Sequence, residues 1–446
     1  MRGNGDSWRK YRWHWKCAEK TVLTEKLIHY FRQIPDYRCG REKRHDLGEM
    51  LVCVTLGFLC GRTTIRRSLK WCKTHLEELR KHMNLKYGIA SPSTITRMLN
   101  GIDEELALYA FMEWIGEIVE SRNTHLAIDG KALCGATEKT KGETTPMLLN
   151  VVETVRGLIL AQLPVDSKTN EITAIPELLK LLDISGSIVT IDAVGTQTAI
   201  MEQIHEQGGH FVLTVKKNQP EAYEEIHTFM DKLGAEDLKR KKGEAMDPGM
   251  KEFLEKYEEI SQMEKNRDRN EYRTCQICKD ASNLTKSQKE WPHVQSIGRI
   301  KQVRIPKEKD SQGNDVTPSK EEFLEKGSRR IPAPSAREGA GKDVQCTALI
   351  SDLILTAEEL GSIKRMHWSI ENRLHHVLDD TFREDRSPAK KSRNNLSLIR
   401  KYAYNILRLA MYETGLANIM TEMMDCFCDN AALRERYVFQ GIASLY

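Results

Sequence analysis

Apolar residues recur at helical spacing through the first quarter of the chain. Leu23, Leu27, Ile28 and Phe31, and then Leu47, Leu51, Val54 and Phe58, follow a period of about 3.6 residues, which predicts helices from about Thr21 to Glu120. Ser91-Pro92-Ser93-Thr94 reads as a capped helix start with proline at or near the first helical position. The short Ser/Thr/Arg-rich helix it opens suits a DNA-reading helix-turn-helix element and equally an ordinary structural piece. After Arg122 the pattern changes: Thr124–Gly130, Leu148–Val155, Gly157–Pro164, Ser187–Asp192 and His210–Val215 read as strands, with helices over Ile172–Leu182 and Gln197–Glu206.

Three strands followed by helix, strand, helix and strand predict an α/β fold, a mixed sheet with flanking helices in the order of a ribonuclease H-like core. Beyond Glu221 the signal weakens, although Arg269–Cys278 and Val294–Ile305 look like strands of a β-rich insertion. Residues 306–345 are rich in Lys and Glu and then in Gly, Pro and Ser, as expected of charged loops. Cys346–Ile350 is a further strand, and Thr356–Phe382 and Asn394–Thr414 are long helices. Four segments result: an all-α N-terminal domain (1–121), the first part of the core (122–220), the insertion (221–344) and the remainder of the core with C-terminal helices (345–446).

Composition narrows the class. The 446 residues are 40% hydrophobic and 30% charged, enough apolar material for folded cores and too much for a disordered chain. The apolar run Leu51–Cys60 is about half a membrane span, and Met1–Lys16 has no signal core, so a cytoplasmic protein off the membrane is expected. The 11 cysteines are scattered, and Cys275–Cys278 is a CxxC without a second ligand pair, which favours reduced thiols over zinc or disulfides. Charge is uneven: residues 1–100 hold 21 Lys and Arg against 9 Asp and Glu, a basic front end suited to a polyanion.

Three acidic residues stand out by position. Asp129 ends the first strand of the sheet, Asp192 ends the fourth, and Glu371 sits in the helix after the last strand. Carboxylates at strand ends, with another from a helix across the sheet, can converge on divalent cations, whose preferred ligands are hard oxygens. Each alone has an ordinary reading as well: a turn for Asp129, a helix cap for Asp192, a surface position for Glu371.

The words around them are more specific. Ala127-Ile128-Asp129-Gly130-Lys131, Asn170-Glu171-Ile172-Thr173-Ala174-Ile175-Pro176-Glu177, Ile188-Val189-Thr190-Ile191-Asp192-Ala193 and His367-Trp368-Ser369-Ile370-Glu371-Asn372 with Leu374-His375 occur in that order. They resemble the DDE transposases of insertion sequences, in the H-repeat-associated (ISAs-type) branch. Ile34-Pro35-Asp36-Tyr37-Arg38 and Lys43-Arg44-His45 resemble the start of the same family's associated domain.

The resemblance implies a transposase that cuts and rejoins duplex DNA at terminal inverted repeats. Asp129, Asp192 and Glu371 would bind two Mg²⁺ ions, with Mn²⁺ possible, and the enzyme would work as a homodimer on DNA. The 179 residues from Asp192 to Glu371 are accounted for by the insertion. Other readings are a transposase-derived DNA-binding protein that no longer cuts and a nuclease that does not rejoin. Candidate DNA contacts are Lys131 and His367 beside the triad, Lys216, Lys217 and Asn218 after a strand, and Arg386, Lys390, Lys391 and Arg393 in a basic run. His375 falls on the helix face of Glu371. The family's His-Gly-Arg-x-Glu-x-Arg survives here only as Arg269, Glu271 and Arg273, and His376 replaces a Trp.

Overall fold

The computed structural model describes residues 24–133, 145–165, 171–265, 269–284, 291–306, 308–309, 315–316, 344–443 and 445. Helices α1 (Leu27–Gln33), α2 (Leu47–Leu59), α3 (Ile65–Thr74), α4 (Leu76–Leu79), α5 (Pro92–Gly101) and α6 (Glu104–Gly116) lead into strands β1 (His125–Ala132), β2 (Met147–Glu153) and β3 (Leu158–Val165). Then come α7 (Glu171–Lys180), β4 (Ile188–Ile191), α8 (Thr198–Glu206), β5 (His210–Val215), α9 (Pro220–Lys242) and α10 (Lys251–Glu255). The insertion carries β6 (Tyr257–Lys265), β7 (Arg269–Cys278), β8 (Ser296–Pro306) and the short antiparallel pair β9 (Glu308–Lys309) and β10 (Asp315–Val316). Strand β11 (Val344–Ser351) and helices α11 (Ala357–Ile370), α12 (Arg393–Thr414), α13 (Met420–Asp429) and α14 (Ala431–Arg434) complete the chain. The class is mixed α/β, with a large mixed sheet.

These elements form two compact units whose sequences interleave. One comprises Met1–Ser121, Gly130–Lys168 and Glu371–Tyr446; the other comprises Arg122–Asp129 and Thr169–Ile370. The physical reason lies in α12, which is buried along almost its whole length and needs cover on every side. Phe31, Phe111 and Trp114 stack around its Tyr402 with ring centroids 4.7–4.9 Å apart, and Asn395 donates to the carbonyls of Leu99 and Ile102. The N-terminal helices therefore share a core with the C-terminal ones.

In the first unit α2 is buried at all its positions and starts on Asp46, whose carboxylate accepts from the Glu49 N–H. The buried Glu49 carboxylate in turn accepts from the backbone of Asn84 and Leu85. Strands β2 and β3 form an antiparallel hairpin, and Asn405 of α12 caps Ile159 by bonding both its N–H and its carbonyl.

In the second unit the strands lie in the order β1-β4-β5-β11-β8-β7-β6. Strands β1, β4 and β5 are parallel; β11, β8, β7 and β6 are antiparallel to their neighbours. Helix α11 lays Ala357, Leu360 and Ile363 on Val212, Ile277, Ile300 and Leu349. Its close approach depends on Gly298, where any Cβ would overlap Leu360.

Candidate active site

Strands β1 and β4 run in register, with Ala127 beside Thr190 and Ile128 beside Ile191. The next residue on each is an aspartate, Asp129 and Asp192; Asp192 stands just past β4, whereas Asp129, expected to end its strand, lies inside β1, which continues to Ala132. Buried Ile128 and Ile191 hold the strands beneath them, while both aspartates remain partly open to solvent. In open α/β sheets the carboxyl end of the strands is where ligands bind.

Asp192 is met by cations. Lys216, just past β5, donates from Nζ to Oδ2 at 2.7 Å, and the Nζ of Lys364 lies 3.9 Å from Oδ1. Burial alone would raise the Asp192 pKa, but the Lys216 hydrogen bond and the charges of Lys364 and Lys216 hold it below the usual carboxylate range. Lys364 is buried on α11, donates to Thr214 Oγ1 at 2.9 Å and lies over the Trp368 ring.

Behind the aspartates, the Thr190 hydroxyl lies 3.1 Å from His125 Nε2, 3.0 Å from His367 Nδ1 and 3.4 Å from the Leu126 carbonyl. With the hydroxyl donating to that carbonyl, both rings donate to its oxygen, which assigns their tautomers. Burial pushes His125 down to about 3, and burial with the neighbouring Lys364 charge does the same to His367, so both are neutral. This junction ties β1, β4 and α11 together.

The loops are stitched in the same way. Asn218 donates to the Ala193 carbonyl at 2.9 Å and Gln219 bonds the Thr196 carbonyl, leaving Lys216, Lys217 and Asn218 exposed beside Asp192. Ile175 of α7 packs against Gly195, and Glu171 lies one turn earlier. Its pKa is raised by burial and then by the Asp192 charge. No role was assigned to Thr190, His125, Glu171 or Lys364 from the sequence. A signal existed for two of them, because Thr190 and His125 are polar positions inside otherwise apolar strands.

Glu371 follows α11 directly and is exposed. Here the expected α-helix over Thr356–Phe382 is corrected: it ends at Ile370 and widens into π-helical turns at Glu371–His375 and Val377–Thr381. Leu374, Leu378 and Phe382 anchor this stretch, and Tyr404 donates to the Arg373 carbonyl at 3.0 Å. The wider turn changes the α-helical spacing that would have set His375 one turn below Glu371.

Three of the expected DNA contacts are buried. Lys131 is 4% exposed, with its ammonium on Asp379 and 3.4 and 3.5 Å from Glu384 and Asp385. His367 is committed to Thr190. Arg273 lies buried over the Trp368 ring and beside Glu264. Arg269 heads β7, and its side chain lies outside the described residues. Arg386, Lys390 and Lys391 are exposed, and Arg393 is half-buried. Among the described residues no group of three or more His, Cys, Asp or Glu gathers around a metal position, and no helix is long and apolar enough to cross a membrane.

Asp129 and Asp192 thus stand at neighbouring parallel strands, with Lys216 and Lys364 beside Asp192. Residues 28–115 match the DDE_Tnp_1-associated model and residues 120–406 match the Transposase DDE domain. The chain belongs to the DDE transposase family: it is an endonuclease and DNA strand transferase. It is 28% identical to YbfL of Escherichia coli K12 over 86% of this chain and 90% of that protein. The same figures hold for YhhI of that strain, named as an H repeat-associated transposase candidate. YbfD, similarly named, is 32% identical over 44% of this chain and 78% of its own. A solved piggyBac transposase synaptic complex with hairpin DNA aligns over 93% of this chain and 80% of that one, with TM-score 0.40 and 11% identity.

Proposed function

We propose that Asp129, Asp192 and Glu371 are the catalytic carboxylates of this transposase, and that they hold two Mg²⁺ ions, or Mn²⁺, in a ribonuclease H-like core. The observation that carries this reading is the parallel register of β1 and β4, whose last pair, Ile128 with Ile191, immediately precedes Asp129 and Asp192. The donor chemistry suits the ions: carboxylate oxygens are the ligands they prefer, and a lysine ammonium on Asp192 Oδ2 stands in for a cation. When bound, such ions lower the pKa of an attacking water and stabilise the leaving oxygen.

The remaining roles belong to the chain's own groups. Lys364 and Lys216 keep Asp192 ionised, and the Thr190 junction fixes the strand ends from behind. Lys216, Lys217 and Asn218 meet phosphates next to the scissile bond, while Arg386, Lys390, Lys391 and Arg393 grip the duplex elsewhere. Duplex DNA ending in the element's terminal repeats is the substrate, and pairing two such ends calls for a homodimer on DNA.

The test is Mg²⁺-dependent cleavage of a duplex carrying the terminal repeat, comparing wild type with Asp192→Ala and Glu371→Ala. The expected result is cutting at the repeat end by wild type and binding without cutting by both variants. A wild type that binds the repeat but never cuts with Mg²⁺ or Mn²⁺ sinks the assignment and leaves a DNA-binding protein.

A further inference from the structure

Between Glu49 and Glu77 the chain has no acidic residue, and helix α3 falls inside that stretch. Its outer face presents Arg66, Arg67, Lys70 and Lys73, all exposed. Among the described residues none of these four side chains has an ion-pair or hydrogen-bond partner. This is an unfavourable way to build a helix. Arg66 and Arg67 lie in the first turn, against the positive end of the macrodipole. Arg66 with Lys70, Arg67 with Lys70, and Lys70 with Lys73 are like charges at i,i+4 or i,i+3 spacing, which repel.

Helix α9 shows the ordinary arrangement. Its Lys239, Arg240 and Lys241 lie in the last turn, where the dipole favours them, and pair with Glu236 and Asp237. A merely solvated basic face resembles α9. The face of α3 keeps its repulsion uncompensated.

The helix beneath those charges is rigidly held. Thr64 caps it, Ser68 packs so closely on Gly57 of α2 that no Cβ fits between them, and Ser68 Oγ donates to the Arg62 carbonyl at 2.8 Å. Cys72 Sγ donates to the Cys53 carbonyl at 3.2 Å, and Arg434 lies over the Trp71 ring. Helix α5, whose sequence suggested DNA reading, is built differently: its Ser91, Ser93 and Thr94 hydroxyls bond one another at the helix start, and Thr96 bonds the Pro92 carbonyl.

We infer that the Arg66–Arg67–Lys70–Lys73 face of α3 docks on the phosphate backbone of duplex DNA. The inference rests on the chain acting on DNA, but it concerns a surface separate from the carboxylates. From Arg66 to Lys73 the helix rises about 10 Å, comparable to three phosphate steps along one strand. Contacts of this kind position DNA without reading its sequence.

The test is binding of the full chain, in EDTA, to fluorescently labelled duplexes with and without the terminal repeat, between 50 and 200 mM NaCl. Wild type is compared with a variant carrying Arg66→Gln, Arg67→Gln, Lys70→Gln and Lys73→Gln. Four phosphate contacts carry a slope of about 3.6 in log affinity against log salt, so the variant should lose most of that slope, and about 100-fold in affinity at the low-salt end, on both duplexes. Its melting temperature should be unchanged or higher, because repulsion has been removed. Should the quadruple variant fail to fold, Lys70→Glu and Lys73→Glu singly should each weaken binding more than tenfold.

Folded variants that keep wild-type affinity and slope overturn the inference. So does loss of binding to duplex RNA or anionic vesicles with duplex DNA binding intact. Cleavage separates this claim from the active-site reading. A wild type that cuts, beside a quadruple variant that binds normally, refutes the docking face alone; α3-dependent binding by a wild type that never cuts refutes the carboxylate assignment alone.

Discussion

The ammonium of Lys131 is hydrogen-bonded to the carboxylate of Asp379, joining the strand residue two places after Asp129 to the turn eight places after Glu371. Around this pair lie Glu384, whose carboxylate is 3.7 Å from the Arg400 guanidinium, and Lys401, whose ammonium bonds Asn150 and Gln162. Burial would lower the Lys131 pKa, but Glu384, Asp379 and Asp385 raise it. Burial would raise that of Glu384, but Arg400, Lys401 and Lys131 hold it down.

Lys131→Met leaves the fully buried Glu384 short of one of its cations. Removing one partner of a buried pair costs about 3–5 kcal/mol, so urea denaturation should show a loss in that range. A change under about 1 kcal/mol would mean that water already compensates Glu384.

Thr190→Val keeps the shape of the side chain but leaves the His125 and His367 ring N–H groups without their acceptor. Each orphaned donor costs about 1–3 kcal/mol. Thr190→Ser keeps the hydroxyl and should recover most of that stability. If Val and Ser behave alike in chemical denaturation, the hydroxyl is not what joins the two rings.

Gly57→Ala places a methyl group into Ser68, overlapping its Cβ, Oγ and Cα. Forced overpacking of this kind costs about 1–3 kcal/mol, read as a drop in melting temperature. Ser68→Ala retains the Cβ and should rescue nothing. Ser68→Gly should recover only part, since the Cα also lies too close.

Acid should weaken the fold early. His125 titrates at about 3 when folded and near 6.5 when unfolded, so below pH 6.5 the unfolded chain binds the extra proton and stability falls as pH falls toward 3. The slope from this one residue approaches about 1.4 kcal/mol per pH unit. His125→Gln should flatten the decline measured between pH 6.5 and 4.5; an unchanged slope would show that His125 accepts its proton within the fold.

Much of the second unit was legible because its strands are short apolar runs bounded by turns: His210–Val215 and Arg269–Cys278 match the expected bounds. Helix α9 and strand β6 were not read. The outer face of α9 is dominated by charge, and β6, at the end of the strand order, has Tyr257, Ile260 and Met263 at a spacing that suggests a helix rather than a strand. Asp129, Asp192 and Glu371 were named from strand ends and local words, signals carried by a few consecutive residues.

Sequence alone determined the family, the strands that bring in the two aspartates and the basic front of the chain, because local periodicity and short motifs encode them. Only the tertiary structure decided that Lys131, His367 and Arg273 are internal, that the helix carrying Glu371 widens, and that the first and last helices share one core. Each of those depends on partners far away in sequence. A lysine reads the same in a string whether it meets water or Asp379, and only packing decides which.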